Sequence, residues 1–589
     1  MKVSKSSISL LILSIIFQLY LVSLAGEIEE AKKNHSLSQS KVSMQRTSYL
    51  IDVNRLKVPL QNNGVMFDVS GYGTIPQYDE GQLIFSGGFY LVGKYNDQLW
   101  ANGVATSSRV SDYLPGRVGS NPNDSLNIIY VVKSTDAPFG TSWQEYRNAV
   151  LLGAEFYDGD GDGIYNPVDK NNNGQWDPNE DKPFILGDVT AYCVYNDSQV
   201  DSLRRYRGVP PFGIEIHQTA FAIGNSNSPL YNTVFLKYKL INRGLVSNLL
   251  DSVYFLFWSD PDLGNYTDDL IGSDSALNSV YCYNKGTDLQ YGSNPPAVSQ
   301  TMIQGPVVFI PNETFIDNNS NGIFDAGIDI PLDTAIVNLG GLLGVKKYPG
   351  AKNQIVKSLF YHLNSNPPIL VDPAYVSDVW NYARGLNRYG TQLDPCTWGF
   401  GYVFNYPCNQ VNPVYVFNGD PVTQIGWIDT IGADVRMLVS TGPFKLRLNE
   451  PVEMWFAIVA GRGQSHLNSV SVLKQNILTA MNYYKSNFGS LPIKVEEEEI
   501  SVNDFRLYQN YPNPFNPETE IKFTIPDNQL VTLKVYDLLG REIITLVNER
   551  LIAGEYSIKF KAENLPSGIY IYELRAGKNA QAKKMIYLK

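Results

Sequence analysis

The sequence predicts a mainly β protein, a multi-domain chain of antiparallel β-sandwich architecture with one amphipathic helix near residues 465–488. Three observations support this prediction. Short segments alternate apolar and polar residues, which is the period of a strand with one buried face. The 48 glycines and 33 prolines are spread along the chain, as many turns require. The 589 residues are about four times the ~150 expected for one domain.

Charge narrows the class of partner. The 47 basic and 58 acidic side chains give a net charge of −11, and charged residues make up only 18% of the chain. Affinity for phosphates comes from clusters of Lys and Arg, so we expect no nucleic-acid partner. Hydrophobic residues, at 43%, supply enough apolar surface for packed cores, which excludes a wholly disordered chain.

The first residues have the pattern of an export signal. Residues 1–25 combine two early lysines, an apolar run from Ile8 to Leu21 and a small-residue end at Ala25. The run is shorter than the ~20 residues that span a membrane, and acidic residues follow at once. We therefore predict a signal peptide at 1–25, a flexible leader at 26–47 and a protein that is secreted or held at the cell surface.

Residues 48–488 form a predicted β-rich passenger region, which is one domain or two divided near residue 210. The segment Tyr231–Asn242 places Leu236, Tyr238 and Leu240 on one face and lysines on the other, as in a half-buried strand. The runs 253–258 and 454–459 are apolar on both faces and are predicted core strands.

Four cysteines suit an exported protein. We expect Cys396 and Cys408 to form a disulfide, because that bond closes the short loop between them and contributes about 3 kcal/mol. Cys193 and Cys282 lie in strand-like runs. The sequence leaves open whether they form a second disulfide or remain buried thiols. No CxxC is present, so a zinc site built on thiolates lacks support.

The strongest chemical signal is a pair of consecutive acidic loops in residues 158–181. Ca²⁺ binds six to eight oxygens, and a loop supplies them from alternate positions when a glycine at the sixth position allows a tight turn. The predicted ligands of the first loop are Asp158, Asp160, Asp162, the Ile164 carbonyl, Asn166 and Asp169. Those of the second loop are Asp169, Asn171, Asn173, the Gln175 carbonyl, Asp177 and Glu180. The two loops repeat every eleven residues and share Asp169.

Each loop carries an aromatic residue, Tyr165 or Trp176, at the same position, where it would tie the loop to a core. A proline follows instead of a helix, so the pair resembles the calcium-loop repeats of thrombospondin type 3 and dockerin-like modules. We predict structural Ca²⁺ with a weak affinity of about 10⁻⁴ to 10⁻³ M. The alternative is that these residues only form turns, but carboxylates crowded without a cation would repel one another.

A third calcium loop is predicted at residues 317–329. Its ligands are Asp317, Asn319, Asn321, the Ile323 carbonyl and Asp325. The twelfth position holds Ile328 in place of an acidic residue, and Asp329 can substitute only if the loop is shifted. A further group of aspartates between 260 and 274 fits no such spacing.

One helix stands out after the β-rich region. From Ser465, a candidate N-cap, apolar residues recur at spacings of three and four up to Phe488, which predicts an amphipathic helix packed on a sheet. The acidic run at 496–499 then predicts a solvated linker over residues 489–504.

Beyond the linker, alternating runs begin at Ile521, Val531, Tyr556 and Tyr570. Six or seven short strands in the 85 residues from 505 to 589 predict an Ig-like sandwich.

Five motifs of this last region occur in a fixed order: YPNPFNPETEIKFTIP, VYDLLGREI, AGEYSIKF, SGIYIYEL and AKKMIYLK. Together they resemble the C-terminal (type A) sorting domain of type IX secretion cargo, a domain related to an Ig-like domain of flagellar hook-cap proteins. The resemblance covers residues 505–589. It implies export across an outer membrane by the outer-membrane secretion machinery. It also implies that the rest of the chain is either released or anchored to surface lipopolysaccharide.

No catalytic or cofactor-binding residue is predicted. The four histidines form no HExxH, and neither a GxSxG elbow nor a phosphate loop occurs. Two functions remain. The first is a non-catalytic binding or structural, adhesive protein that is stabilised by Ca²⁺ and binds polysaccharide or another cell-surface polymer. The second is an exported polysaccharide hydrolase, which would need two carboxylates facing each other across a deep cleft.

Overall fold

The computed structural model describes residues 47–72, 75–104, 112–364, 367–489, 505–510, 513, 515–526, 529–537, 540–551, 554–562 and 565–587. The chain divides into two compact units, Met1–Ile493 and Lys494–Lys589. The predicted signal peptide, nearly all of the predicted leader and nearly all of the predicted linker lie outside the described residues. The fold is mainly β, which confirms the predicted class.

The first unit is built on an antiparallel sheet of nine strands, which we call the large sheet. Its strands in spatial order are Asp269–Asp274, Ser279–Asn284, Ala297–Gln304, Val452–Gly461, Thr233–Asn242, Ile214–Ala222, Val189–Asn196 and Leu114–Pro115, with Tyr130–Lys133 as the ninth. The pairing of Val189–Asn196 with Ile214–Ala222 spans residue 210, so a domain division there would cut through the sheet.

A five-stranded sheet packs against the large sheet and completes a sandwich. Its strands in spatial order are Val356–Leu363, Val435–Arg447, Leu249–Pro261, Ile84–Tyr95 and Gln98–Gly103. Aromatic rings from the two sheets meet between them: Phe255 lies 5.2 Å from Tyr238, and Phe257 lies 4.8 Å from Phe456. Burial of such rings is the main favourable contribution to a core of this kind.

The predicted strands are found, with one difference. The strand Thr233–Asn242 does place Leu236 and Tyr238 in the core between the sheets. Its other face was expected to be open to water, yet Lys237 is only 3% exposed. That lysine forms ion pairs with Glu155 at 2.9 Å and Glu453 at 3.1 Å. The prediction of a half-buried strand is therefore wrong, because chain from outside the sheet covers the outer face.

The predicted helix is confirmed at His466–Lys485, and the Ser465 hydroxyl accepts a hydrogen bond from the Asn468 amide as an N-cap should. Its apolar stripe packs on the outer face of the large sheet, where Trp455 and Phe235 form a second core with it. Two shorter helices, Thr141–Leu151 and Val376–Tyr382, were not predicted. Among the described helices, none is both long and apolar enough to cross a membrane.

Six two-stranded sheets of the described residues lie outside these layers. They are Ser48–Ile51 with Val58–Gln61, Phe156–Tyr157 with Lys182–Pro183, Val307–Val308 with Lys352–Asn353, Phe315–Ile316 with Ile330–Pro331, Thr334–Asn338 with Val345–Pro349, and Gly401–Phe404 with Gly426–Asp429. Short 3-10 helices occur at Asp201–Leu203, Pro229–Asn232, Tyr266–Asp268, Pro368–Leu370 and Cys408–Gln410. The second and fourth of the small sheets close the bases of the predicted calcium loops.

The favoured disulfide is confirmed. Cys396 and Cys408 are bonded, with their Cα atoms 5.1 Å apart. Cys193 and Cys282 are both buried as free thiols. Of the two alternatives that the sequence left open for this pair, the structure therefore has the unpaired one.

In the part of the second unit that the structure describes, seven short strands form a sandwich around their own core. One sheet contains Arg506–Leu507, Glu518–Ile525 and Gly554–Lys561, and the other contains Glu542–Leu551, Gln529–Asp537, Gly568–Ala576 and Asn579–Tyr587. Ile521 and Phe523 face Val531 and Leu533 in the core, as their alternation predicts. The fourth strand in sequence pairs with the third, whereas constant-type Ig domains place it in the sheet of the first and second.

Candidate metal sites

The three predicted calcium loops share one backbone conformation. The fourth residue of each loop has a positive φ: Gly161 at 75°, Asn172 at 58° and Ser320 at 57°. The sixth residue is a glycine with φ of 77° in the first loop and 74° in the other two. Glycine adopts this left-handed conformation without steric cost. Two left-handed residues at the same places give the three loops the same turn.

The first aspartate of each loop is held in the same way. Asp158 accepts a hydrogen bond from the amide of Gly163 at 2.9 Å. Asp169 accepts one from Gly174 at 2.7 Å, and Asp317 accepts one from Gly322 at 2.7 Å. The carboxylate of position one therefore lies inside each loop, facing the turn.

Side chains at alternate positions converge inside each loop. In the first loop, carboxylate oxygens of Asp158, Asp160 and Asp162 all lie within 4.8 Å of one another. In the second loop, Asp177 accepts hydrogen bonds from the side-chain amides of Asn171 at 2.7 Å and Asn173 at 3.0 Å.

The third loop repeats the arrangement of the second. Asp325 accepts hydrogen bonds from the side-chain amides of Asn319 at 2.8 Å and Asn321 at 2.7 Å. An asparagine amide presents either its oxygen or its nitrogen after a half turn, so the same geometry can offer oxygens to a cation.

A buried acid closes each loop by bridging its second and ninth residues. Glu180 accepts hydrogen bonds from the amides of Lys170 at 2.6 Å and Asp177 at 2.9 Å. Asp329 does the same for Asn318 at 2.9 Å and Asp325 at 2.8 Å. Glu180 is 1% exposed and Asp329 is 6% exposed. The third loop thus uses Asp329, one position later than the usual twelfth residue.

The first loop is closed by Asp181 rather than by the predicted Asp169. Asp181 accepts the amides of Gly159 at 3.0 Å and Asn166 at 2.6 Å. The two carboxylate oxygens of Asp169 instead accept hydrogen bonds from backbone amides of the second loop. Spacing could not identify Asp181, because it follows the whole second loop and reaches the first only through the hairpin that joins their ends.

Asn166 and Ile164 are two further predicted ligands of the first loop. Asn166 accepts a hydrogen bond from Arg147 at 2.8 Å through its side-chain oxygen, so this oxygen is engaged outside the loop. Ile164 has a side chain that is 66% exposed, and Ile323 in the third loop is 52% exposed.

An aromatic residue at position eight ties each loop to the protein. Tyr165 is 5% exposed and packs with Tyr146 and Phe156 in a small core. Trp176 lies 5.6 Å from the ring of Tyr157. Phe324 stands at the equivalent position in the third loop, 5.5 Å from Phe315. Ordering of the loops is therefore coupled to packing of the passenger unit.

Hydrogen bonds lower the pKa of one carboxyl group in each loop. The hydrogen bond from Lys170 lowers the pKa of Asp160. Backbone amides, led by that of Gly174, lower the pKa of Asp169. Side-chain amides lower the pKa of Asp325. Lys170 lies 2.8 Å from Asp160, so it balances one of the negative charges in the first loop.

A separate acidic cluster lies at one end of the five-stranded sheet. Carboxylate oxygens of Asp260, Asp262 and Asp434 lie within 4.8 Å of one another. Burial raises the pKa of Asp260 to about 8 and that of Asp262 to about 6. The sequence singled out the first two of these residues but not Asp434, which is brought beside them only by strand pairing.

Two cavities stand out in the passenger unit, and neither holds a pair of carboxylates. The larger, of about 220 Å³, is lined mainly by apolar residues of the segments 183–187 and 339–343. The smaller, of about 10 Å³, has Glu155 as the one carboxylate among its lining residues. It also borders His217, which lies 2.7 Å from the Tyr192 hydroxyl and 3.0 Å from Glu215 in a buried network.

Comparison with known proteins identifies the second unit. Residues 509–588 match a family described as a secretion system C-terminal sorting domain. The match supports a type IX secretion cargo and implies contact with that secretion machinery. The protein is therefore exported across the outer membrane to the cell surface or the extracellular space, as predicted.

No curated protein matches the chain. Among solved structures, a polysaccharide lyase matches with 7% sequence identity and a TM-score of 0.19, over 64% of this chain and 34% of that chain. This chain thus spans about a third of the length of the lyase. A likeness of this size carries no argument about the passenger unit.

Proposed function

We propose that the protein is an exported, calcium-stabilised surface or secreted protein whose passenger unit has a non-catalytic binding or structural, adhesive role. The observation that carries this proposal is the common architecture of the three loops, each with the same turns, a first aspartate facing inward and a buried closing acid. The sorting domain delivers the protein to the outside of the cell, where calcium is plentiful and even weak calcium sites would be occupied.

The proposed ion is Ca²⁺, held by oxygens of the predicted residues, with Asp181 and Asp329 added to the set. An all-oxygen site of carboxylates, amides and carbonyls suits a hard cation. The loops would work like thrombospondin type 3 or dockerin-like repeats, in which the ion rigidifies a segment rather than switching it. Binding to the folded state alone would stabilise the chain by linkage.

The proposed partners follow from the same setting. The second unit, as an Ig-like sandwich similar to that of flagellar hook-cap proteins, would engage the secretion machinery. The passenger unit would then be released or anchored to surface lipopolysaccharide, and it would bind polysaccharide or another cell-surface polymer.

The alternative of a polysaccharide hydrolase gains no support from geometry. It needs two carboxylates across a deep cleft, and the two cavities described above supply at most one. Asp260, Asp262 and Asp434 do converge, but Asp260 is 5% exposed and too enclosed to meet a sugar ring.

The proposal is tested by melting the full chain in excess chelator and in calcium, followed by a binding and hydrolysis screen on polysaccharides. At calcium tenfold above the dissociation constant, each loop contributes about 1.4 kcal/mol. We expect a higher melting temperature with calcium, retention on at least one polymer and no release of soluble sugar. An unchanged melting temperature contradicts the calcium role, and turnover of a polymer contradicts the non-catalytic one.

A further inference from the structure

Four polar residues form a row across one face of the five-stranded sheet. His362 lies opposite Arg436 in the pairing of Val356–Leu363 with Val435–Arg447. Asp260 lies opposite Ser86 in the pairing of Leu249–Pro261 with Ile84–Tyr95. Arg436 joins the two pairs through an ion pair of 3.0 Å with Asp260. Directly opposed residues in antiparallel strands have neighbouring side chains, so this row is continuous.

Both ring nitrogens of His362 in this row lack a hydrogen-bond partner in the described part of the chain, and so do two oxygen atoms of the row that lie on the side of the acids. Oδ1 of Asp260 accepts no hydrogen bond from the described part of the chain, and the residue is only 5% exposed. The hydroxyl of the opposing Ser86 likewise has no hydrogen-bond partner there, at 0% exposure. An unpaired buried polar group costs free energy, and such groups in native proteins usually mark an ion or a water.

Distances between the carboxylates suit a single ion. Oxygens from Asp260, Asp262 and Asp434 lie within 4.8 Å of one another. Two ligands of one Ca²⁺, each at about 2.3–2.6 Å, stand up to about 5 Å apart. Asp434 has a side chain that is 27% exposed, so the cluster opens to solvent on that side and an ion can enter.

Charge at this end of the sheet is unbalanced. The carboxyl groups of Asp260, Asp262, Asp434 and Asp372 lie around the guanidinium of Arg436, and Asp372 also interacts with Arg205, so four acids face two bases. Arg436 is shared between three of these acids and does not reach Oδ1 of Asp260. A buried carboxyl group of this kind is stable when it is paired, protonated or bound to a cation, and a bound cation favours the ionised form.

We propose that Asp260, Asp262 and Asp434 form a divalent cation site for Ca²⁺, separate from the three loops, with the Ser86 hydroxyl as a further oxygen ligand. The site would fix the ends of three strands that are far apart in sequence. It differs from the loops because its ligands come from the sandwich itself, so its occupancy would stabilise the core directly.

The test uses the full chain with the first aspartate of every loop replaced, as Asp158→Asn, Asp169→Asn and Asp317→Asn together. Melting temperatures are measured in chelator and across a calcium titration up to about 10 mM, above the range of weak extracellular sites. We expect this loop-deficient chain to retain a calcium-dependent rise. Addition of Asp262→Asn should lower the apparent calcium affinity at least tenfold.

A control variant and a measurement in chelator separate an ion site from a purely structural role of Asp262. Asp251→Asn, on the strand Leu249–Pro261 but outside the cluster, should leave the titration unchanged. Asp262→Asn should melt no lower than its parent in chelator, because it relieves repulsion among the acids; a lower value would mean that the carboxylate is needed for the fold and not for an ion. Loss of the calcium response in the loop-deficient chain, or a response that Asp262→Asn leaves intact, would overturn the site while leaving the loops untouched.

Discussion

Replacement of Lys237 by methionine should destabilise the passenger unit strongly. The Lys237 ammonium is 3% exposed and lies 2.9 Å from Glu155 and 3.1 Å from Glu453. Methionine keeps the apolar stem but removes the ammonium that both carboxylates contact, and Lys239, at 3.9 Å from Glu453, replaces it only in part. Removal of one member of a buried ion pair costs about 3–5 kcal/mol, because the remaining charge is desolvated and unpaired.

The pH dependence of this cost has a definite sign. Burial alone would raise the pKa of Glu155, but the charge and hydrogen bond of Lys237, together with the charges of Lys239 and Lys346, hold the pKa below its ordinary value. Without Lys237 that pKa rises above its unfolded value, so the folded variant gains stability as pH falls and the carboxyl takes up a proton. We therefore expect the gap between wild type and Lys237→Met to narrow from pH 8 to pH 5.

The assay is urea unfolding followed by tryptophan fluorescence. All 8 tryptophans precede residue 494, so the signal reports the passenger unit alone. The matched control is Lys239→Met, two residues along the same strand, because Lys239 is 23% exposed and 3.9 Å from Glu453. It should cost at most about 1 kcal/mol. Equal losses for the two variants, or a gap that does not narrow in acid, would refute the reasoning.

Three other variants have defined outcomes. Burial alone would raise the pKa of Glu215, but hydrogen bonds from His217 and Arg243 hold it at about 2. Glu215→Gln should therefore lower the free energy of unfolding by roughly 3 kcal/mol above pH 4.5, and by progressively less as pH falls toward 2. Urea unfolding measures this loss. Asp181→Asn should weaken calcium binding to the first loop while one ion still binds the second, as counted by calorimetry. Replacement of both Cys396 and Cys408 by serine should lower the free energy of unfolding by at most about 3 kcal/mol, seen as a lower urea midpoint.

Regular periodicity made most of the fold predictable. The stripe from Val470 to Tyr484 and the alternation from Val531 to Val535 each fix which face is buried, and both were found as expected. The short helix Val376–Tyr382 was missed because seven residues give too few turns for a stripe. Burial of Lys237 was missed because alternation shows that a face is polar but does not show what covers it.

The sequence predicted the acidic ligands that lie close together in the chain, but it did not predict those that come from distant segments. Alternate acids and a sixth-position glycine revealed the three loops, and the structure brings these side chains together. Asp181 and Asp434 were not predicted. Asp181 reaches its loop across a hairpin, and Asp434, about 170 residues after Asp260 in the chain, is brought beside it by strand pairing. Local spacing carries no information about such contacts.

Calcium bound in the loops at 158–181 and 317–329 would be visible in a crystal structure of the full chain grown in calcium and measured for anomalous scattering. We expect one peak inside each of the three loops, with oxygen distances of about 2.3–2.6 Å from the first aspartate and the closing acid. Well-ordered loops without any such peak would contradict this expectation.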